Sequence, residues 1–175
     1  MATKKTSMFT LTERVSISAA ATATTATIDL GSYVDVGDRQ ALQIHSVDYI
    51  FQGTTADLGA GDAMPDDNTC VVQVTDLNRG GFVFANDRAL VSSAQLQRSA
   101  QGAFLSEADM FPDNYGKGAD DGRFVVNDAL YITGNITALS SGKTLNVTVR
   151  VNASIVTLSN KDFMAIAIQS TAADN

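Results

Sequence analysis

A chain of 175 residues, 45% hydrophobic and 18% charged with only two prolines, has the size of one domain that buries roughly 70% of the surface its unfolded form exposes. That balance excludes a disordered chain, and the apolar runs are too short to cross a bilayer as helices. The net charge of −7 comes from 17 Asp and two Glu against 12 scattered Lys and Arg. With no basic stripe to grip phosphates, direct nucleic-acid binding by the folded body is not expected.

The opening MATKKTSMFTLTERV carries two lysines with no apolar stretch behind them, so no secretory signal is expected. From Met8 to Ser18 the residues alternate as in a strand, with Val15 and Ile17 on one parity. AAATATTATIDLG after it offers little bulk and reads as an extended arm or a weak edge strand. We therefore expect residues 1–27 to form an N-terminal arm and first strand, and residues 28–175 to form the main β domain.

ALQIHSVDYIF places apolar residues at 42 and 44, then at 47, 49 and 51. The change of parity at His45 and Ser46 predicts a strand with a β-bulge, because one inserted residue exchanges the faces. GTTADLGAGDAMPDDN is a long loop. CVVQVTDL and GFVFAND, joined through residues 78–81, predict a hairpin. ALVSSAQLQRSAQ lacks clean alternation and reads as a turn of helix or an irregular crossover. DMFPDNYGKGADDG is a second Asp/Gly loop, and RFVVNDALYITGN resumes strand chemistry. In KTLNVTVRVNASIVTL, period two holds from Leu145 to Ile155, a long strand with one wet face.

LSNKDFMAIAIQS closes the series. Ser159 followed by Asp162 resembles a capping box and predicts a helix over residues 160–169, although Met164, Ile166 and Ile168 also alternate as a final strand would. In the helix, Phe163, Ile166 and Ala167 share one face and Met164 and Ile168 another. The elements together predict an all-β, antiparallel β-sandwich or barrel, of the single jelly-roll kind, ending on this short helix or strand.

Catalytic signatures are missing. The one histidine, His45, lies inside an apolar strand without a nucleophile motif beside it, and no G-x-S-x-G, H-E-x-x-H, C-x-x-C or phosphate-binding glycine loop occurs. No enzyme and no cofactor are expected. Cys70 cannot form an internal disulfide and reads as a buried free thiol. The two acidic loops supply weak calcium candidates, Asp62, Asp66 and Asp67 in the first and Asp120 and Asp121 in the second, without the spacing of a helix–loop–helix calcium site. Sequons at Asn135, Asn146 and Asn152 are compatible with glycans or with chance.

The arm MATKKTSMFTLTERVSIS, the β-rich body broken by polar loops, and the last alternating strand running into VTVRVNASIVTLSNKDFMAIAIQ are similar to small single jelly-roll capsid proteins of icosahedral viruses. The resemblance implies a self-assembling coat subunit in the virion, assembled in the host cell, whose partners are copies of itself and other virion proteins or an enclosed membrane. In one respect the chain departs from coat proteins that package nucleic acid directly: its arm has Lys4, Lys5 and Arg14 against Glu13, and is not strongly basic. Two other readings stand beside it: a carbohydrate-binding or adhesin-type β-sandwich module, and another surface or decoration structural protein.

Overall fold

The computed structural model describes residues 2–54, 58–111, 115 and 121–171. Ten strands are present among them: β1 (Thr3–Lys4), β2 (Phe9–Ile17), β3 (Thr24–Asp29), β4 (Gln40–Gln52), β5 (Asn68–Thr75), β6 (Leu90–Arg98), β7 (Phe104–Phe111), β8 (Arg123–Val125), β9 (Ala129–Ile136) and β10 (Leu145–Thr157). A single α-helix, α1 (Asn160–Thr171), follows them.

Every strand pairing is antiparallel, and together they make one winding. Setting aside β1 and β7, eight strands form a long ribbon bent double, in which β2 pairs with β10, β3 with β9, β4 with β8 and β5 with β6. Rolling that ribbon brings β10 against β4 and β9 against β5. Sheet 1 then runs β2-β10-β4-β8 and sheet 2 runs β3-β9-β5-β6-β7. This is the single jelly roll expected from the strand pattern. The space between the sheets is filled by side chains, among them Val15, Ile17, Leu42, Ile44, Val72, Ile132, Leu145 and Val149, all at 1% exposure or less. Tyr49 of sheet 1 donates to Ser92 of sheet 2 at 2.7 Å, so its hydroxyl is satisfied inside that core.

The bulge in β4 is where the parity change places it. Asn152 pairs with Ser46 and Ala153 with Ile44, which leaves His45 as the extra residue. Leu42 and Ile44 before it and Val47, Tyr49 and Phe51 after it all pack on the one core. β10 alternates as its sequence demands, with Leu145, Val147, Val149, Val151 and Ala153 inward.

Three expectations need correction. GFVFAND is no strand: residues 76–89 form a loop, and the hairpin partner of β5 is β6. ALVSSAQLQRSAQ, expected as a turn of helix or an irregular crossover, contains the strand β6, whose register shifts opposite Val74/Thr75 and again at Ser93/Gln95, and two irregularities erase the period that alternation depends on. The second Asp/Gly loop begins later than Asp109, since β7 runs to Phe111. RFVVNDALYITGN is strand as expected, divided between β8 and β9 in different sheets by a turn at Asn127 and Asp128 whose amide and carbonyl engage Asp76 and Leu30.

Residues 1–27 are less arm-like than their composition suggests. β1 and β2 both lie along the outer edge of β10, where Thr6 bridges them by accepting from the Ile155 amide at 2.9 Å. Val15 and Ile17 are core residues, and the expected boundary at 27/28 falls inside β3, an edge strand of sheet 2.

The terminal segment is the helix. The Asp162 amide donates to Ser159 Oγ at 3.2 Å, the expected N-cap, and the Ser159 hydroxyl donates to the Asp162 carboxylate at 2.7 Å. That hydrogen bond holds the Asp162 carboxyl below its usual pKa. Phe163, Ile166 and Ala167 pack with Ala41, Val126, Val156 and Leu158 into a second, smaller core on the outer face of sheet 1. Ser159→Ala removes the cap and is expected to cost about 1 kcal/mol, read as an earlier midpoint in urea denaturation.

Candidate functional site

The chemically capable side chains fall into three places: a polar chain at the β4 bulge, a charged strut where β5 ends, and the loops at the two ends of the roll. The bulge turns His45 away from the main core and buries it at 4% exposure. Its Nε2 lies 2.9 Å from Ser154 Oγ, and Ser154 in turn donates to Gln43 Oε1 at 3.2 Å. With the hydroxyl proton directed at Gln43, His45 Nε2 is the donor of its pair, so the imidazole nitrogen facing Ser154 is not placed to take that proton. Gln43 Nε2 donates to the Asp121 carbonyl and the Tyr115 amide donates to the His45 carbonyl at 3.0 Å. The bulge therefore fastens two points of the segment that leads into β8.

Cys70 is fully buried, and burial pushes its thiol up to about 12. A thiol in that state is not a nucleophile at neutral pH.

Asp76 is 2% exposed and meets Arg123 at 2.9 Å, while Arg123 also donates to the Arg88 carbonyl. Burial raises the Asp76 pKa more than the Arg123 guanidinium lowers it. The native state therefore holds its proton to higher pH than the unfolded chain does. Stability contributed by this group is largest below the usual aspartate range and falls as pH rises through its raised native value. Asp76→Asn is expected to abolish that slope, measured as unfolding free energy against pH on the acid side.

The acidic loop residues do not gather into one site. Asp62 pairs with Lys143 at 2.8 Å and Asp66 with Arg98 at 2.8 Å. Asp67 is exposed and adopts a left-handed conformation, and Asp121 is exposed, while Asp120 lies outside the described residues. Among the described residues no group of three or more His, Cys, Asp or Glu is placed to hold a metal ion. A calcium ion taken up by the first loop would have to displace Lys143 and Arg98 from their carboxylates.

Of the sequons, Asn146 accepts from Ser16, and Asn152 accepts from Thr10 while donating to Ser46 and Asp48. These two amides belong to a polar ladder across the outer face of sheet 1. Asn135 instead lines a groove of about 420 Å³ on the outer face of sheet 2, beside Thr69, Gln73, Phe82 and Thr137.

Sequence reasoning missed the most exposed feature. The 76–89 loop is held by an Arg79–Asp87 ion pair at 3.0 Å and by Gln73, whose amide both accepts from the Val83 N–H at 2.9 Å and donates to the Val83 carbonyl at 3.0 Å. The clamp leaves Phe82 partly and Phe84 86% exposed. The signal was present in F-V-F, but it reads as strand alternation until Gln73 is seen to occupy the backbone that a strand would use. Met164 and Ile168 on α1 are also exposed, at 58% and 61%.

No protein-family model matches the chain, and no curated protein matches it in sequence. Among solved structures it is similar to a chain of Desmodium yellow mottle tymovirus, with 9% identity over 88% of this chain and 91% of that one and a TM-score of 0.28, a likeness too slight to carry an argument.

Proposed function

We propose that this chain is a coat subunit that assembles with copies of itself into an icosahedral shell and resides in the virion. The observation that carries the reading is a sealed jelly roll that displays large apolar side chains on stapled elements. Phe84, Val36, Ile168, Met164 and Leu58 are each more than half exposed around a core whose interior is filled. Apolar groups held rigidly in water, on a fold with no need of them for its own core, suit a surface covered by neighbours. The jelly roll also serves lectin-like and cupin-like proteins, so the fold by itself does not select among these. The polar groups that a catalyst would need are engaged within the structure, His45 with Ser154 and Asp76 with Arg123. The net charge of −7 opposes close contact with a genome, so in this reading another component, or an enclosed membrane, lies between shell and nucleic acid.

A second reading, a carbohydrate-binding module, is favoured by the groove on sheet 2, where an aromatic ring, Phe82, stands beside the amides of Gln73 and Asn135 and the hydroxyls of Thr69 and Thr137. One preparation separates the two. Size-exclusion chromatography and electron microscopy, with and without calcium, are expected to show closed particles or rings. A persistent monomer that binds glycans on an array overturns the shell reading in favour of the second.

A further inference from the structure

The strand that forms the outer edge of sheet 1 leaves a row of backbone groups open. Ile155 of β10 gives its amide to Thr6 Oγ1 and accepts the Lys5 amide on its carbonyl, so its hydrogen-bonding groups point to the side of β1 and β2. That direction repeats at every second residue of a strand, so β10 from Leu145 to Ala153 bonds the odd-numbered residues of β2, Ile17 to Phe9. The even-numbered residues, Thr10, Thr12, Arg14 and Ser16, therefore turn amide and carbonyl away from the sheet, and among the described residues no backbone group meets them. Their side chains are exposed as well. Edge strands are ordinarily kept short, bulged or broken by proline, because an open ladder recruits another strand. β2 is the longest edge of the roll, with nine residues against six in β3, eight in β7 and three in β8. It contains no proline, and its register on β10 is unbroken.

We propose that β2 of one copy pairs antiparallel with β2 of a second about a two-fold axis at Thr12, continuing sheet 1 through both. The contact deepens the shell reading, on which its place in a particle rests. A second copy is the occupant because the strand complements itself in one register. Only the even-numbered residues offer outward groups, so they must face one another across the axis. Full overlap puts the axis at Glu13 and sets the two carboxylates opposite each other in a non-hydrogen-bonded pair, with Cα atoms about 4.5 Å apart. An axis at Arg14 sets Arg14 against Arg14. An axis at Thr12 sets Thr12 against Thr12, Arg14 against Thr10 and Glu13 against Leu11, and still pairs Phe9 to Val15 of each copy. Like charges directly opposite are destabilising, whereas Thr–Thr pairs are favourable. Arg150, the one charged residue of β10, stands between Thr12 and Asp48 on the neighbouring strands. Three strand spacings of about 4.8 Å separate it from its counterpart, more than the Debye length of about 8 Å. Both copies use the same surface, so the contact is isologous and closes on itself, as a two-fold of a shell must.

The test uses the full chain. Thr12→Cys places two thiols across the axis, where paired Cα atoms stand about 5.5 Å apart, within reach of a disulfide; the native Cys70 is buried. Under mild oxidation this variant is expected to give a covalent dimer on a non-reducing gel, and Arg14→Cys and Ser16→Cys are not. Thr12→Glu faces Arg150 within its own sheet and a second carboxylate across the axis. It is expected to raise the concentration needed for association at least tenfold, to recover in part at high salt, and to leave circular dichroism and the urea midpoint unchanged. Wild-type particles with no Thr12→Cys dimer, or with Thr12→Glu associating normally, overturn the edge contact and leave the shell standing. Dimers from Arg14→Cys or Ser16→Cys in place of Thr12→Cys overturn the axis at Thr12. Thr12→Cys dimers from a protein that never grows beyond two copies support the contact and overturn the shell. A wild-type chain that stays monomeric at every concentration overturns both.

Discussion

A chain lacking residues 2–17 is expected not to fold. β1 and β2 supply the whole outer edge partner of β10, with β2 in register from Phe9 against Ala153 to Ile17 against Leu145. Val15 and Ile17 are buried in the main core, and Gly134 on β9 makes room for them, since a Cβ there would stand 3.1 Å from Ile17 Cδ1. Burying two such side chains is worth about 1.5–3 kcal/mol each, and the edge of a central, apolar strand is opened as well. Against a total stability of about 5–15 kcal/mol for a domain, the combined loss approaches the whole. Circular dichroism and the soluble yield of the truncated chain measure it; a soluble, cooperatively unfolding product would show that the segment is dispensable. A truncation confined to residues 2–7 is the sharper probe of assembly, because it spares every residue of β2.

Gly122→Ala is expected to destabilise the protein by about 1–3 kcal/mol from backbone conformation alone. Gly122 has φ of +110°, and an added Cβ would meet the Ile44 carbonyl oxygen at 2.7 Å. The neighbour is backbone and cannot swing aside, so β8 must move off β4 and the Leu42–Val125 and Ile44–Arg123 pairings loosen. Arg123 follows immediately, and its displacement also weakens the strut to Asp76. The urea midpoint reads the loss. A variant as stable as the wild type would mean that the turn before β8 tolerates a side chain.

Elements with an undisturbed period were legible from the residues. β10 alternates from Leu145 to Ile155, the β4 bulge shows as a parity change at His45, and the α1 cap is written in Ser159 and Asp162. β6 was not legible, because two register irregularities break its alternation, and nothing local says that Asn127 and Asp128 carry the chain from β8 in one sheet to β9 in the other. The candidate site was less legible still. Asp62 and Asp66 read as loop carboxylates open to a cation, yet Lys143, far along the chain just before β10, pairs with Asp62, and Arg98 at the end of β6 pairs with Asp66; only the fold brings these cations to the acids.

By itself the sequence determined the class of the protein: an acidic, antiparallel β-sandwich or barrel with a wet-faced final strand, a cap signal at Ser159 and Asp162 and no catalytic motif. Those properties follow from local rules, namely the two-residue period of a strand, the side-chain oxygen at a helix start and the sum of charges. The tertiary structure alone decided which residues are occupied and which are offered. It buried His45 against Ser154, made the N-terminal segment an edge of sheet 1, and left Phe84 in water on a loop that Gln73 clamps over sheet 2. Such facts depend on contacts between residues far apart in the chain, whose closeness no local pattern encodes.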